Sequence, residues 1–231
     1  MAKKKFFIAG TDTDAGKTLV ATAVLEKARQ MGLQTVAVKP VASGSEQTAD
    51  GLRNSDALAL IDAMTVDLDY EQVNPVAFEP AIAPHIAAMR AGKQLSVSRL
   101  AGYCNGAMMR PCDLVIIEGA GGWRVPLNSR ETLANLAQDL NLPVILVVGM
   151  KLGCINHALL SVEAIERDGL KVAGWVANRI DPEMSCYEEN MMTLHSLISA
   201  PCLGEIPYLE NPDKKSAAEY LDLTAALSID I

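Results

Sequence analysis

Aromatic side chains are scarce in this sequence, at 4% of residues, with three phenylalanines and two tryptophans. Half of the residues are hydrophobic all the same. The interior must therefore be filled mainly by Ala, Val, Leu, Ile and Met, which suits strands covered on both faces by helices. Long apolar stretches are missing too. The N-terminal Lys3, Lys4 and Lys5 lead straight into a short strand-like run, with no small-residue cleavage site behind it. This argues against a membrane span or a secretory leader and places the protein in the cytoplasm. Excess positive charge is absent as well: the formal net charge of −8 speaks against nucleic acid or an anionic membrane as a general partner. Paired cysteine spacing is lacking, since Cys104, Cys112, Cys154, Cys186 and Cys202 are scattered. They read as reduced, mostly structural thiols. His85, His157 and His195 are dispersed, with no two at helical ligand spacing, which argues against a transition-metal site.

What is present is a rhythm. Apolar runs bounded by turn residues recur near 5–9, 35–38, 73–78, 113–117, 143–148, 171–177 and 202–206. Segments of helical periodicity lie between most of them. Leu19, Ala23, Leu25 and Met31 mark a first helix that Gly32 ends. A second begins at Asn54, Ser55 and Asp56, natural capping residues. Further helices are expected over 97–109, 131–140, 155–168, 184–198 and 214–227. The stretch from 66 to 96 is broken into short pieces by Pro75, Pro80 and Pro84. Alternating strands and helices imply right-handed crossovers. The expectation is one undivided α/β domain over residues 1–231, with a mostly parallel seven-stranded sheet flanked by helices on both faces.

The most informative stretch runs from Gly10 to Thr18. It follows the apolar Phe6–Ala9 and opens the first helical pattern, so it reads as strand, tight loop and helix, the setting of a phosphate-binding loop. Amides at a helix start are unpaired and the helix dipole is positive there, so a polyphosphate can take those bonds at once. Asp14, Ala15, Gly16, Lys17, Thr18 and Leu19 would cradle the phosphates of a P-loop NTPase fold. Lys17 would reach the β- and γ-phosphates, and the Thr18 hydroxyl would ligate Mg²⁺. Five residues separate Gly10 from Gly16, one more than the common spacing of this motif. Thr11, Asp12 and Thr13 lengthen the loop, and Asp12 and Thr13 are expected to face a second substrate.

In such a sheet the ligand lies beyond the carboxyl ends of the strands. Lys39 and Ser43 follow the second strand. A lysine there can neutralise charge that develops during transfer, although the pattern fits a surface lysine before a proline turn equally well. Asp56 is a helix cap or a Mg²⁺ carboxylate; the second reading gains from Glu118, a lone acid ending the aliphatic run Leu114–Ile117. Gly119, Ala120 and Gly121 then let backbone approach the nucleotide closely. The glycines around Lys151 make a second potential anion site at Gly153, Cys154, Ile155 and Asn156, suited to a carboxylate. Cys154 there is either a thiol of lowered pKa or a small packing residue. Asn178 either reads a purine edge or shapes a turn.

Taken in order, these stretches resemble the dethiobiotin synthetase family across nearly the whole chain, and the lengthened loop is itself typical of that family. The resemblance implies an ATP- and Mg²⁺-dependent cyclo-ligase of biotin biosynthesis. It would convert 7,8-diaminononanoate and CO₂ to dethiobiotin, with ADP and phosphate released, and would act as a homodimer. By the same resemblance Lys39 is the active-site lysine, assisted by Lys17, and Ser43 is a substrate contact. Thr18, Asp56 and Glu118 become the metal ligands. Asn178 and Arg179 fall at the adenine position, Pro207, Tyr208 and Leu209 at a nucleotide loop, and Gly153 to Asn156 at the segment that receives the substrate carboxylate from the partner subunit. Two other classes use such a loop. A nucleotide-switched partner-binding ATPase carries an extra lysine early in the loop, where Thr11 and Asp12 stand here. A small-molecule kinase would release a phosphorylated product.

Overall fold

The computed structural model describes residues 3–229. The chain begins with β1 (Lys4–Gly10), α1 (Lys17–Gln30) and β2 (Thr35–Val38), then a hairpin of β3 (Glu46–Thr48) and β4 (Gly51–Arg53). Four helices follow, α2 (Ser55–Ala63), α3 (Tyr70–Val73), α4 (Pro84–Arg90) and α5 (Val97–Met108). Then come β5 (Leu114–Glu118), α6 (Leu133–Asp139), β6 (Val144–Met150), α7 (Cys154–Arg167), β7 (Val172–Arg179), α8 (Tyr187–Leu197) and β8 (Cys202–Ile206). Two short helices, α9 (Lys214–Ala218) and α10 (Thr224–Leu227), close the described chain.

Six strands form one sheet in the order β2-β5-β1-β6-β7-β8, with every pairing in it parallel. The crossover after β1 runs toward one edge and the crossover after β6 toward the other, so a crevice opens at the carboxyl end of β1. The aliphatic strands are buried throughout, as a sheet covered on both faces requires. One core layer lies beneath α5, α6, α7 and α8. The other lies beneath α1, α2, α9 and α10. Helix α1 stops where expected, with Leu33 N–H returning to Ala28 O at 3.0 Å beyond Gly32. Asn54 caps α2 by accepting from Ala57 N–H at 3.3 Å.

The sheet has six strands where seven apolar runs predict seven. The run at 73–78 is the exception. Val73 ends α3, and Pro75 has no N–H for a central ladder. The chain instead runs beside residues 42–45, where Ala42 N–H donates to Val76 O and Phe78 N–H to Ala42 O, both at 2.9 Å. Val76 and Phe78 are buried in the core without belonging to the sheet. The polar hairpin β3–β4 has no apolar signature to announce it; only Asp50-Gly51 marks its turn. The helix expected over 214–227 is split. Between α9 and α10 the chain drops onto β8, with Asp222 N–H donating to Leu203 O at 2.8 Å and Leu221 bridging Gly204. This covers the sheet edge, and a Cβ at Gly204 would collide with Tyr220 O.

On α1 the buried Glu26 accepts from Arg29 Nε at 2.8 Å and Nη2 at 2.6 Å, and from Gln30. Hydrogen bonds from Arg29 are the main reason its carboxyl is held at about 2, against an ordinary 4.5. A folded-state pKa below the unfolded one stabilises the fold above the ordinary value, and that contribution is lost as pH falls toward the folded one. Urea midpoints should therefore drop between pH ~4.5 and ~2, and Glu26→Gln should flatten that slope. An unchanged slope in the variant would remove Glu26 from the acid response.

Candidate active site

Gly10 ends β1, and residues 11–16 turn the chain into α1 with Gly16 at the N-cap, φ 88°. That left-handed conformation favours glycine, and a Cβ there would also collide with the Asn178 amide. No side chain caps α1, so its first amides are left for a ligand. Gly16, Lys17, Thr18 and Leu19 line a cleft of about 860 Å³ that also takes in Thr13, Asp14, Lys39, Ser43, Asp56, Ala120 and Gly121. The loop is braced from below, where Asn178 Nδ2 donates to Ala15 O at 3.0 Å. Lys17 folds over its own loop and donates to Asp12 O at 3.1 Å. Burial, and then the nearby Lys39, hold the Lys17 pKa below the ordinary lysine value.

At the floor of the cleft Lys39 Nζ donates to Glu118 Oε1 at 2.6 Å, to Asp56 Oδ2 at 2.9 Å and to Gly119 O at 3.1 Å. Thr18 Oγ1 donates to the same Glu118 Oε1 at 2.8 Å. Burial opposes the charge on Lys39 more than any other single influence. The two carboxylates together outweigh it and set its pKa above the ordinary value. Burial likewise pushes Asp56 up, and Lys39 with Thr18 more than reverses that, leaving it lowered. Glu118 Oε2 is buried with no partner among the described residues. A hydroxyl and two carboxylates, one of them with an orphaned oxygen, are a hard-oxygen set that fits Mg²⁺. Thr18, Asp56 and Glu118 thus converge as their sequence contexts suggest, and Lys39 is buried rather than on the surface.

Other expected positions sit elsewhere. Asp12 is turned toward Lys151, 3.2 Å from its Nζ, which with the Thr13 amide lowers its pKa; Thr13 does line the cleft. Arg179 lies 4.7 Å over the Tyr187 ring and donates to Pro182 O at 2.9 Å, away from the cleft. Pro207, Tyr208 and Leu209 follow β8 at the end where Ile206 pairs with Asn178. They do not line the cleft, and neither do Gly153, Cys154, Ile155 and Asn156 at the start of α7. Cys154 is buried and its thiol pKa is pushed up by that burial, so the packing alternative holds and the lowered one is corrected. Asp213 caps α9 through Lys215 and Ser216 N–H.

Ser43 is brought in as expected, its buried hydroxyl lacking a partner among the described residues. Sequence reasoning missed an apolar wall made by Ala81, Ile82, Ala83, Pro84, Val125 and Pro126. Its one signal was the proline pair Pro80 and Pro84: Ile82 N–H turns back to Pro80 O at 2.9 Å, and Ala83 before Pro84 is extended as it enters α4. Gly16→Ala is expected to weaken nucleoside triphosphate binding roughly tenfold or more, from a strain of about 1–3 kcal/mol. Fluorescence titration checks this, with the circular dichroism spectrum unchanged. Undiminished affinity would mean the loop does not hold the phosphates.

A protein-family model described as "AAA domain" matches residues 4–216. An ATP-dependent dethiobiotin synthetase of Cellvibrio japonicus is 60% identical over 227 residues, covering 98% of this chain and 99% of the relative. One from Pseudomonas aeruginosa is 57% identical over 218 residues, covering 94% and 96%. Among solved structures, a ParA family ATPase from Chlorobium tepidum superposes with a TM-score of 0.55 at 13% identity, over 90% of this chain and 85% of that one. The septum site-determining protein MinD of Pyrococcus horikoshii, complexed with Mg-ADP, gives 0.54 at 16%, over 93% and 86%. At such identities these two show a shared fold alone. Identity above one half along nearly the full length of both chains shows more than that, and the chain belongs to the ATP-dependent dethiobiotin synthetase family.

Proposed function

We propose that this protein is an ATP- and Mg²⁺-dependent cyclo-ligase that turns 7,8-diaminononanoate and CO₂ into dethiobiotin, ADP and phosphate. The observation that carries the reading is the cluster of Thr18, Asp56, Glu118 and Lys39 set directly against the phosphate loop in one cleft. Identity with dethiobiotin synthetases over almost the entire chain supports it.

Each chemical step has a residue suited to it. One substrate amine adds to CO₂ and loses a proton, giving a carbamate. A carbamate oxygen attacks the γ-phosphorus, the bond to the β-phosphate oxygen breaks and ADP leaves. The second amine then attacks the carbamoyl carbon, phosphate departs and the ureido ring closes. The α1 amides and Lys17 bind the phosphates and orient the γ-phosphorus. Lys39, kept protonated by its two carboxylates, is placed to neutralise charge on the carbamate and on the transferring group. Thr18, Asp56 and Glu118 would hold Mg²⁺, which neutralises phosphate charge when bound. The unpartnered Ser43 hydroxyl offers a hydrogen bond to the diamine, and the wall of Ala81, Ile82 and Val125 suits its aliphatic chain. Asn178 acts beneath the loop, and its amide together with the 207–209 turn is suited to the purine side of the nucleotide.

The carboxylate of the substrate is assigned to the start of α7, Gly153 to Asn156, of a second subunit. Two features support a homodimer there: that segment stands apart from its own chain's cleft, and Leu152 and Leu160 beside it are 91% and 57% exposed. We take residues 1–231 as one domain acting in the cytoplasm; no helix among the described residues is long and apolar enough to cross a membrane.

Purified protein given ATP, Mg²⁺, bicarbonate and 7,8-diaminononanoate should form dethiobiotin, detected by mass spectrometry. Folded, nucleotide-binding protein that makes none would overturn the assignment, and a phosphorylated diamine as final product would make it a kinase. Lys39→Gln should lower kcat by roughly 10²–10³-fold, the loss typical of one charge-stabilising donor. Its nucleotide Kd should stay within about threefold of wild type, a change under 1 kcal/mol. Proportional loss of binding and turnover would instead make Lys39 a nucleotide anchor.

A further inference from the structure

Far from the cleft, α8 meets the edge strand β8, and three side chains with metal-binding atoms converge. His195 Nε2 lies 3.2 Å from Glu205 Oε1, and one ligand atom from each of His195 and Glu205 lies within 4.8 Å of Cys202 Sγ and of the other. The sequence gives no hint of this, because Cys202 and Glu205 are three apart on a strand and would point to opposite faces. An irregularity in the β7–β8 ladder resets the alternation. Trp175 aligns with Cys202 while the next residue, Val176, aligns with Gly204. Leu203 and Ile206 consequently both enter the core layer beneath α1. Cys202 packs against the opposite layer, with Glu205 beside it and His195 above. The His195 ring is backed by Trp175, 5.2 Å between centroids.

We propose that His195, Cys202 and Glu205 form a second cation site, for a borderline-soft divalent ion of the zinc type, that clips the end of α8 to the edge of the sheet. Imidazole, thiolate and carboxylate are the donor types such an ion prefers, with bond lengths of about 2.0–2.3 Å. A tetrahedral ion needs such ligand atoms roughly 3.3–3.5 Å apart by those lengths, so the trio has to tighten by about 1.3 Å at most. His195 and Glu205, each 47% exposed at the side chain, are free to make that adjustment. Half-buried Cys202, whose thiol makes only a long 3.5 Å contact with Gly204 O, supplies the anchor. On binding, the thiol proton passes to solvent, neutral His195 ligates through Nε2, Glu205 ligates as carboxylate, and the fourth position is left for water. The hard-oxygen set of the cleft selects Mg²⁺, and this one does not.

Co²⁺ titrated into the reduced, chelator-stripped full chain tests the site, because thiolate ligation in a tetrahedral field gives charge-transfer and intense d–d absorption that an oxygen-ligated ion lacks. We expect one Co²⁺ per chain with both bands, displaced by Zn²⁺ and unaffected by excess Mg²⁺. Cys202→Ser should abolish the charge-transfer band. His195→Ala should weaken binding by more than the roughly 10–100-fold that loss of a mere supporting partner costs. Zn²⁺ should raise the Tm of wild type but not of His195→Ala, whose Tm in chelator is the control for folding. Absence of the bands in wild type, persistence of the charge-transfer band in Cys202→Ser, or unweakened Co²⁺ binding by His195→Ala would overturn the proposal. Should Cys202→Ser not fold, Glu205→Gln with the same Zn²⁺-dependent Tm and Co²⁺ readouts decides it: unchanged values refute the trio, and lowered affinity supports it.

Discussion

Lys39 and Glu118 form an ion pair with almost no access to water: their side chains are 4% and 0% exposed, 2.6 Å apart. Such a pair loses much hydration, and removing one partner of a buried pair typically costs about 3–5 kcal/mol, because the other charge is left stranded. Strand register makes it unavoidable. Val38 at the end of β2 lies opposite Ile117 of β5, so the next residue along each strand is the lysine and the acid. Two hydrophobic strands thus deliver opposite charges to one point, with β1 and its phosphate loop alongside β5. The cleft chemistry hangs on that register.

The same contact keeps the charges of the site apart from water. Lys39 and Thr18 both donate to Glu118, and Lys39 donates to Asp56 as well. Its ammonium compensates the charge of the two acids. Lys17, by contrast, has only its loop carbonyl as a direct partner, and burial makes its proton the easier of the two to lose. An incoming triphosphate supplies the negative charge that Lys17 lacks. One lysine is satisfied by the protein, the other by the ligand.

Much of this was legible in the sequence, and the unread parts share a cause. The loop, its lysine and its threonine are contiguous, so local pattern sufficed. Glu118 was readable because a lone acid that ends four aliphatic residues is costly to bury unless a cation meets it. Lys39 was not, since its partners are 17 and 79 positions away and only the sheet pairs them. The 73–78 run was apolar enough for a strand, but Pro75 and the end of α3 divert it. Asn178 offered a base-reading amide or a turn; its role under Ala15 depends on β7 lying two strands from β1 in a sheet whose order no local signal encodes. The bulge that joins Cys202 to Glu205 left even less trace.

A soft link joins the cleft to the surface that the proposed dimer would use. Asp12, in the extra length of the loop, pairs with Lys151 at the turn before α7, and both side chains are partly exposed, at 47% and 39%. Exposed pairs of this kind contribute about 0–1 kcal/mol. A partner subunit engaging Gly153 to Asn156 could therefore move the loop only by about that much through this contact. The stiffer connection is the backbone itself: Gly149 N–H donates to Thr11 Oγ1 at 3.3 Å, and Thr11 N–H to Val147 O at 2.9 Å. In the proposed dimer, coupling between the two clefts would pass through this connection along β6, which is buried throughout. A buried strand in close-packed surroundings has little freedom to rearrange, so in the proposed dimer the loop geometry would be set within each chain.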